Sequence, residues 1–230
     1  MEKKLTLYHG SPKIIKKPIF GYGGQNNDYG LGFYCTKNEE LAKEWAVSSS
    51  QDGFSNRYIL DTEHLNILDL NDSKYTVLNW IAILLEHRLF AIKTPIANKA
   101  RQYLIDNFSI NVNTYDVIIG YRADDSYFDY AQSFVHNEIT VNQLDLALKL
   151  GDLGQQVVLK SEFAFSCLEY QGFDYAPKEK YFVMKKARSD SAYDSYLKIL
   201  EKDDDGLIIR DITTGGIKND DPRMPRNLFK

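Results

Sequence analysis

The chain has 230 residues, 43% hydrophobic and 26% charged, which supplies a real apolar core and excludes an intrinsically disordered chain. Its net charge of -4 lacks the basic excess of a dedicated nucleic-acid binder, and its two cysteines, Cys35 and Cys167, are too few for a disulfide scaffold. The start, MEKKLTLYHG, carries charge with no apolar run behind it, and the longest apolar stretch, Trp80 to Leu85, stops at Glu86, His87 and Arg88; with neither a secretory signal nor a membrane span, an intracellular, soluble protein is expected.

In chain order, the pattern predicts a first strand over Leu5–Tyr8 that ends in HGS. Gly21, Gly23, Gly24, Gly30 and Gly32, joined by Gln25, Asn26 and Asn27, predict a mobile loop, since glycine and asparagine favour turns and positive φ. A short strand over Gly32–Thr36 follows, and Thr36 with Glu39 has the spacing of a capping box for the helix ELAKEWAVSS, which directs Leu41, Trp45 and Val47 to the core. Alternation in Arg57–Thr62 and Leu65–Leu70 predicts two strands in a hairpin. Helices are expected over Tyr75–Phe90 and Ile96–Phe108, then a strand buried on both faces at Tyr115–Tyr121. Short helices at Ser126–Phe134 and Val141–Lys149 lead to a strand at Gln155–Lys160, a helix at Ser161–Tyr170 and a last strand, YFVMKKA. A helix from Ser189 to about Lys202 and a poorly packed acidic tail containing LIIRD complete an α+β chain.

Four clusters carry side chains suited to chemistry. His9, at a strand end between Tyr8 and Gly10-Ser11, is placed either for acid–base work and ligand hydroxyls or as a capping histidine. In Asp28–Thr36 the glycines let a ligand approach the backbone, and Tyr34 offers a flat face for stacking, whereas no phosphate-loop pattern is present. Asp124 and Asp125, after the buried strand, suit either a helix cap or a cation, and no metal-ligand spacing supports the second use. Gln155 and Gln156 alternate on a strand, so one of them faces any given pocket. A competing arrangement makes Cys35 a nucleophile with His9 as its base.

LYHGS, then GLGFYCT with EELAKEWA, then QQVVLKSE resembles, in that order, the ADP-ribosyltransferase superfamily, on its diphtheria-toxin and poly(ADP-ribose) polymerase branch with a His-Tyr-Glu triad. More narrowly it resembles toxin-like bacterial domains of that superfamily. The resemblance spans roughly Leu5 to Met184 and implies two small packed β-sheets flanked by helices, in a domain over residues 1–188 followed by a helix and acidic tail over 189–230. It implies NAD as co-substrate without a metal, with His9 on ribose hydroxyls, Gly10 on the nicotinamide carboxamide and Tyr34 stacked on the nicotinamide ring. Tyr29 or Tyr22 would give a second face, with Tyr8, Ser11, Gly32, Phe33 and Thr36 around the cofactor. The third triad position falls on Gln156, or on Gln155 if the strand slips by one, where the family has Glu. Glutamine keeps the hydrogen bond and loses the charge, which implies transfer of single ADP-ribose units or lost activity. The implied partners are a macromolecular acceptor, a protein foremost, and a neutralising antitoxin protein for which the LIIRD tail is a docking segment. The loop over Gly21–Asn27 would be a lid on the NAD cleft.

Overall fold

The computed structural model describes residues 3–123, 125–150 and 155–225. Among the described residues, fifteen segments of regular structure and one short 3-10 turn (Val112–Thr114) build one mixed sheet with helices on its faces. The strands are β1 (Lys4–Ser11), β2 (Phe33–Thr36), β3 (Gly53–Asp61), β4 (Ile67–Asp69), β5 (Val117–Tyr121), β6 (Gln155–Leu159) and β7 (Leu168–Ala176), in the order β4-β5-β6-β2-β1-β3-β7. The helices are α1 (Glu39–Ala46), α2 (Val77–His87), α3 (Pro95–Phe108), α4 (Asp125–Val135), α5 (Val141–Ala147), α6 (Glu162–Ser166), α7 (Lys178–Leu200) and α8 (Ile209–Gly215).

In place of the two sheets expected from the resemblance there is one seven-stranded sheet, but it is joined narrowly. β1 pairs with β3 along its whole length, Lys4 with Asp61 through Ser11 with Phe54, while its register with β2 is confined to Tyr8 opposite Thr36. Beyond that pair the two strands part, and the sheet opens into a cleft between a β4-β5-β6-β2 half and a β1-β3-β7 half.

The strand pattern explains the two cores. In β5 and β6 side chains alternate between faces: Ile118 and Val158 join the larger cluster with α2, α4 and α5, while Val117, Ile119, Val157 and Leu159 join a smaller one with Leu5, Leu7, Phe33 and Tyr58. Every residue of α2 from Val77 to Leu85 is buried, so that helix runs through the larger core rather than along its surface.

Several elements differ from the sequence pattern. α1 is capped by Asn38, whose Oδ1 accepts from the backbone N–H of Glu40 and Leu41; Thr36 stays in β2 and its hydroxyl accepts from Asn38 N–H. β4 does not form a hairpin with β3 but pairs in parallel with β5 at the other end of the sheet. The helix expected over Ser161–Tyr170 ends at Ser166, and Leu168–Ala176 adds to β3 as an antiparallel edge strand, bulged where Gly172 takes φ +134°. YFVMKKA is not a strand but the start of α7, which runs unbroken through residues 188 and 189 where a domain boundary was expected.

The C-terminal stretch is also packed. Arg188 grips the buried Glu44 carboxylate of α1 through Nε at 3.0 Å and Nη2 at 2.8 Å, and Tyr196 stacks on Tyr130 with centroids 3.9 Å apart. Ile209 of the LIIRD segment and Ile212 just after it lie fully inside the larger core, and Asp204 takes the Thr140 hydroxyl and the Gly206 N–H. The stretch expected to be a poorly packed tail is therefore anchored through Ile209, while Arg210 and Asp211 stay exposed.

Candidate functional site

The cleft where β1 and β2 part holds a cavity of about 240 Å³ lined by His9, Gly10, Asn27, Asp28, Tyr34, Trp45, Arg88, Arg122, Ala123 and Gln156. Each wall follows from a local cause. At His9 the ladder between β1 and β2 has already opened, and the imidazole Nδ1 takes the place of a backbone donor, 2.7 Å from the Tyr34 carbonyl oxygen. A carbonyl only accepts, so Nδ1 carries the proton, and burial holds the ring's pKa below its usual value and the ring neutral. Nε2 is thereby left as a bare acceptor for a ligand hydroxyl or proton. The ring lies on Phe33, centroids 4.3 Å apart, which fixes its plane.

Gly10 is required by the packing of α1. A Cβ there would sit 2.0 Å from the Ala42 carbonyl oxygen and 2.8 Å from Ala46 N. This close approach carries α1 onto β1 and brings Trp45 to the cavity wall, with the Arg122 guanidinium 4.0 Å above the indole. The indole Nε1–H is buried without a partner among the described residues.

Tyr34 stands opposite. Its hydroxyl donates to the Gly30 carbonyl at 2.5 Å and accepts from the Tyr29 N–H at 3.1 Å, so the ring is braced by the loop that precedes β2. Burial raises the phenol's pKa, and it stays protonated. The loop is held in turn. Tyr29 is wholly buried, its hydroxyl on the Tyr121 carbonyl at 2.8 Å, in space that exists because residue 120 is glycine: a Cβ there would lie 2.3 Å from that hydroxyl. Lys160 Nζ donates to the Tyr29 and Leu31 carbonyls at 2.6 and 2.7 Å. At the other end Ile15 N–H bonds Asn56 Oδ1 at 2.8 Å and the Tyr58 hydroxyl bonds the Ile15 carbonyl. The segment expected to be mobile is thus pinned at both ends, with its exposed part over residues 16–26.

Gln156 closes the far side. It is 3% exposed, and its Nε2 donates to Asp28 Oδ2 at 2.6 Å and to the Tyr121 carbonyl at 3.1 Å. Both partners are acceptors, which fixes the amide with Nε2 turned to them and Oε1 left over. Asp28, 5% exposed, also accepts from Ala123 N–H at 2.8 Å and pairs with Arg88 Nη1 at 3.4 Å. Burial raises its pKa, opposed by these donors and the two arginines.

Of the residues singled out in the sequence, His9, Gly10, Tyr34 and Gln156 line this one cavity. The others are elsewhere. Phe33 supports His9 from behind, Tyr8 pairs with Thr36, the Ser11 hydroxyl accepts from Lys13 N–H, and Gly32 packs against Val158. Thr36 is buried, and Gln155 sits opposite Tyr121 in the ladder outside the cavity lining. Tyr29 is core and Tyr22 is 83% exposed, and neither lines the cavity. Cys35 is fully buried in the smaller core, and burial pushes its thiol far up, the reverse of an activated nucleophile. Asp124 and the Asp125 side chain lie outside the described residues. Sequence reasoning gave Asp28 and Arg88 no role in the site and sent Trp45 to the core. Only for Asp28 was there a signal, its place beside the glycines.

Residues 5–170, well over half the chain, match the family described as "Protein of unknown function (DUF3990)". The chain belongs to the DUF3990 family. No curated protein and no solved structure matches it. The matched span contains every residue that lines the cavity, while α7 and α8 lie beyond it. Among the described residues no His, Cys, Asp or Glu side chains cluster as a metal site, and no helix is long and apolar enough to cross a membrane.

Proposed function

We propose that this DUF3990 chain adopts an ADP-ribosyltransferase-like fold and is an NAD-dependent mono-ADP-ribosyltransferase, toxin-like, that modifies a macromolecular acceptor inside a cell and releases nicotinamide. The observation that carries this reading is that His9, Tyr34 and Gln156, from three separate strands, line one cavity at the point where the sheet divides.

The chemistry follows from their state. The bond between the ribose carbon and the pyridinium nitrogen breaks with its electron pair going to nitrogen, so nicotinamide leaves neutral and positive charge builds on the ribose. The acceptor's lone pair then closes on that carbon and its proton passes to solvent. His9 Nε2 accepts from a ribose hydroxyl, the Gly10 backbone meets the carboxamide, the Tyr34 ring stacks on the nicotinamide, and Gln156 Oε1 accepts from a second hydroxyl. Arg88 and Arg122 on the rim suit a diphosphate. At about 240 Å³ the cavity lies just under the usual range for small-ligand pockets, roughly 300–1,000 Å³, and matches one end of the dinucleotide rather than the whole.

Nicotinamide release from NAD, with and without cell lysate, tests the proposal. Wild type should release it, faster with lysate, and label a lysate macromolecule with a single ADP-ribose; absence of release from wild type in both conditions rejects the activity. The neutral Gln156 favours a second reading, a domain that binds NAD, ADP-ribose or a protein partner such as an antitoxin without turnover. Under that reading NAD raises the melting temperature with no release; at about a hundred times its Kd it adds about 2.7 kcal/mol.

A further inference from the structure

We propose that Asp28 is a positioning residue that lends its negative charge to the site through Gln156, so that the Asp28–Gln156 pair does together what a single cavity-facing carboxylate would do. The inference rests on the ADP-ribosyl transfer reading of this cavity and goes beyond it in naming the source of charge.

The hydrogen bonds leave one arrangement. Asp28 Oδ2 is met by Gln156 Nε2 at 2.6 Å and Ala123 N–H at 2.8 Å, and Oδ1 by Arg88 Nη1 at 3.4 Å. All three neighbours are donors, and none could accept a proton carried by the carboxyl, so the set fits the ionised acid. Gln156 is likewise oriented by two acceptors, Asp28 and the Tyr121 carbonyl, and presents Oε1 and not its NH₂ to the cavity it lines. A carboxylate 2.6 Å from the amide nitrogen polarises the amide and shifts electron density onto Oε1, as linked hydrogen bonds strengthen one another where water is excluded. A ribose hydroxyl on Oε1, or a ribose carbon gaining positive charge, therefore meets more than a neutral amide. The pair spans 128 positions of sequence, and the anchoring of Tyr29 and Lys160 helps to bring the loop to β6.

The same geometry excludes the simpler idea that residue 156 lacks a carboxylate it needs. A Glu side chain at that position would set an acid 2.6 Å from Asp28 and 3.1 Å from the Tyr121 carbonyl oxygen, with acceptors facing acceptors on both sides.

The test is Asp28→Asn, which keeps the shape and can keep an oxygen toward Gln156 and Ala123 while removing the charge. Two readouts are taken: nicotinamide release from NAD, and binding of a protonated pyrrolidine bearing the ribose hydroxyls, compared with neutral ribitol. The expected result is a fall in kcat of about a hundredfold with KM within about threefold, and a loss of at least roughly tenfold in affinity for the cationic probe with ribitol unchanged. Gln156→Met, which leaves Asp28 in place, should remove the same preference for the cation and keeps the test decisive should the Asp28→Asn protein fail to fold. If Asp28→Asn keeps kcat within about threefold and keeps the cation preference, Asp28 only braces the loop and the inference is overturned. Wild type that prefers the cation through Asp28 yet releases no nicotinamide supports the inference while rejecting turnover. Wild type that does neither overturns both.

Discussion

Two cavities flank the loop that leads into β2, and the larger is the less suited to chemistry. The larger, about 530 Å³, is lined by Phe20, Gly30, Leu31, Glu86, His87, Lys160 and their neighbours, against about 240 Å³ for the one around His9 and Gln156. In the larger, the Lys160 ammonium is already committed: it is bonded to two loop carbonyls, and burial holds its pKa down at about 8. In the smaller, His9, Gln156 and Asp28 are each oriented from behind by a partner that leaves the front of His9 and Gln156 free. Volume reports where the surface folds inward. Polar groups held in one orientation with a valence to spare report where a ligand can be read.

The contrast can be broken by substitution. His9→Ala should lower nicotinamide release about a hundredfold or more with little change in melting temperature, because it removes the oriented acceptor and leaves Phe33 and Tyr34 in place. Release equal to wild type would remove the smaller cavity from consideration.

Gln156→Glu should lose stability rather than restore a catalytic acid, by about 3 kcal/mol at pH 8, since one of two adjoining buried carboxylates must be protonated or left unpaired. The folded-state pKa of that pair lies above its unfolded value, so stability is retained at about pH 4 and lost as pH rises through the raised pKa; the deficit should widen from about pH 5 to 8 in urea titrations. Wild type already has a small part of this trend, because Asp28 itself is raised.

Gly10→Ala should cost about 2–3 kcal/mol, as the new Cβ meets the Ala42 carbonyl and pushes α1 and Trp45 off the cavity. Lys160→Met should speed hydrogen exchange of the loop amides near Tyr29 and Leu31 about tenfold, with kcat nearly unchanged, because that side chain restrains the loop from the far cavity. Cys35→Ala, the smallest effect, should leave release unaltered and cost about 1 kcal/mol of packing, and thiol reagents should not inhibit the folded protein.

Part of this was legible in the chain itself. His9 and Tyr34 belong to strand segments that adjoin a glycine, Gly10 and Gly32, and such local signals survive without knowledge of the fold. Gln156 was legible as one of two, and alternation along β6 with the register Thr36–Gln156 selects it over Gln155. Asp28 was legible only as a neighbour of the glycines, because nothing in the loop's composition says that it will meet a strand 128 residues later. Trp45 has the spacing of a core residue on α1, and only Gly10 brings it to the cavity edge. The exchanged roles of Leu168–Ala176 and Tyr181–Ala187 have a similar origin. The first is an exposed edge strand whose alternation is interrupted by Gly172, and the second is a helix with three aromatic or aliphatic residues in a row at its start. In both, tertiary pairing overrode the local pattern.

The most direct measurement of the central claim follows the imidazole resonances of the four histidines as NAD is added. The ring of His9, in the smaller cavity, should shift with saturation while those of His87, in the larger cavity, and of His64 and His136 stay in place. A shift of His87 without His9, or no shift in any ring at saturating NAD, would contradict it.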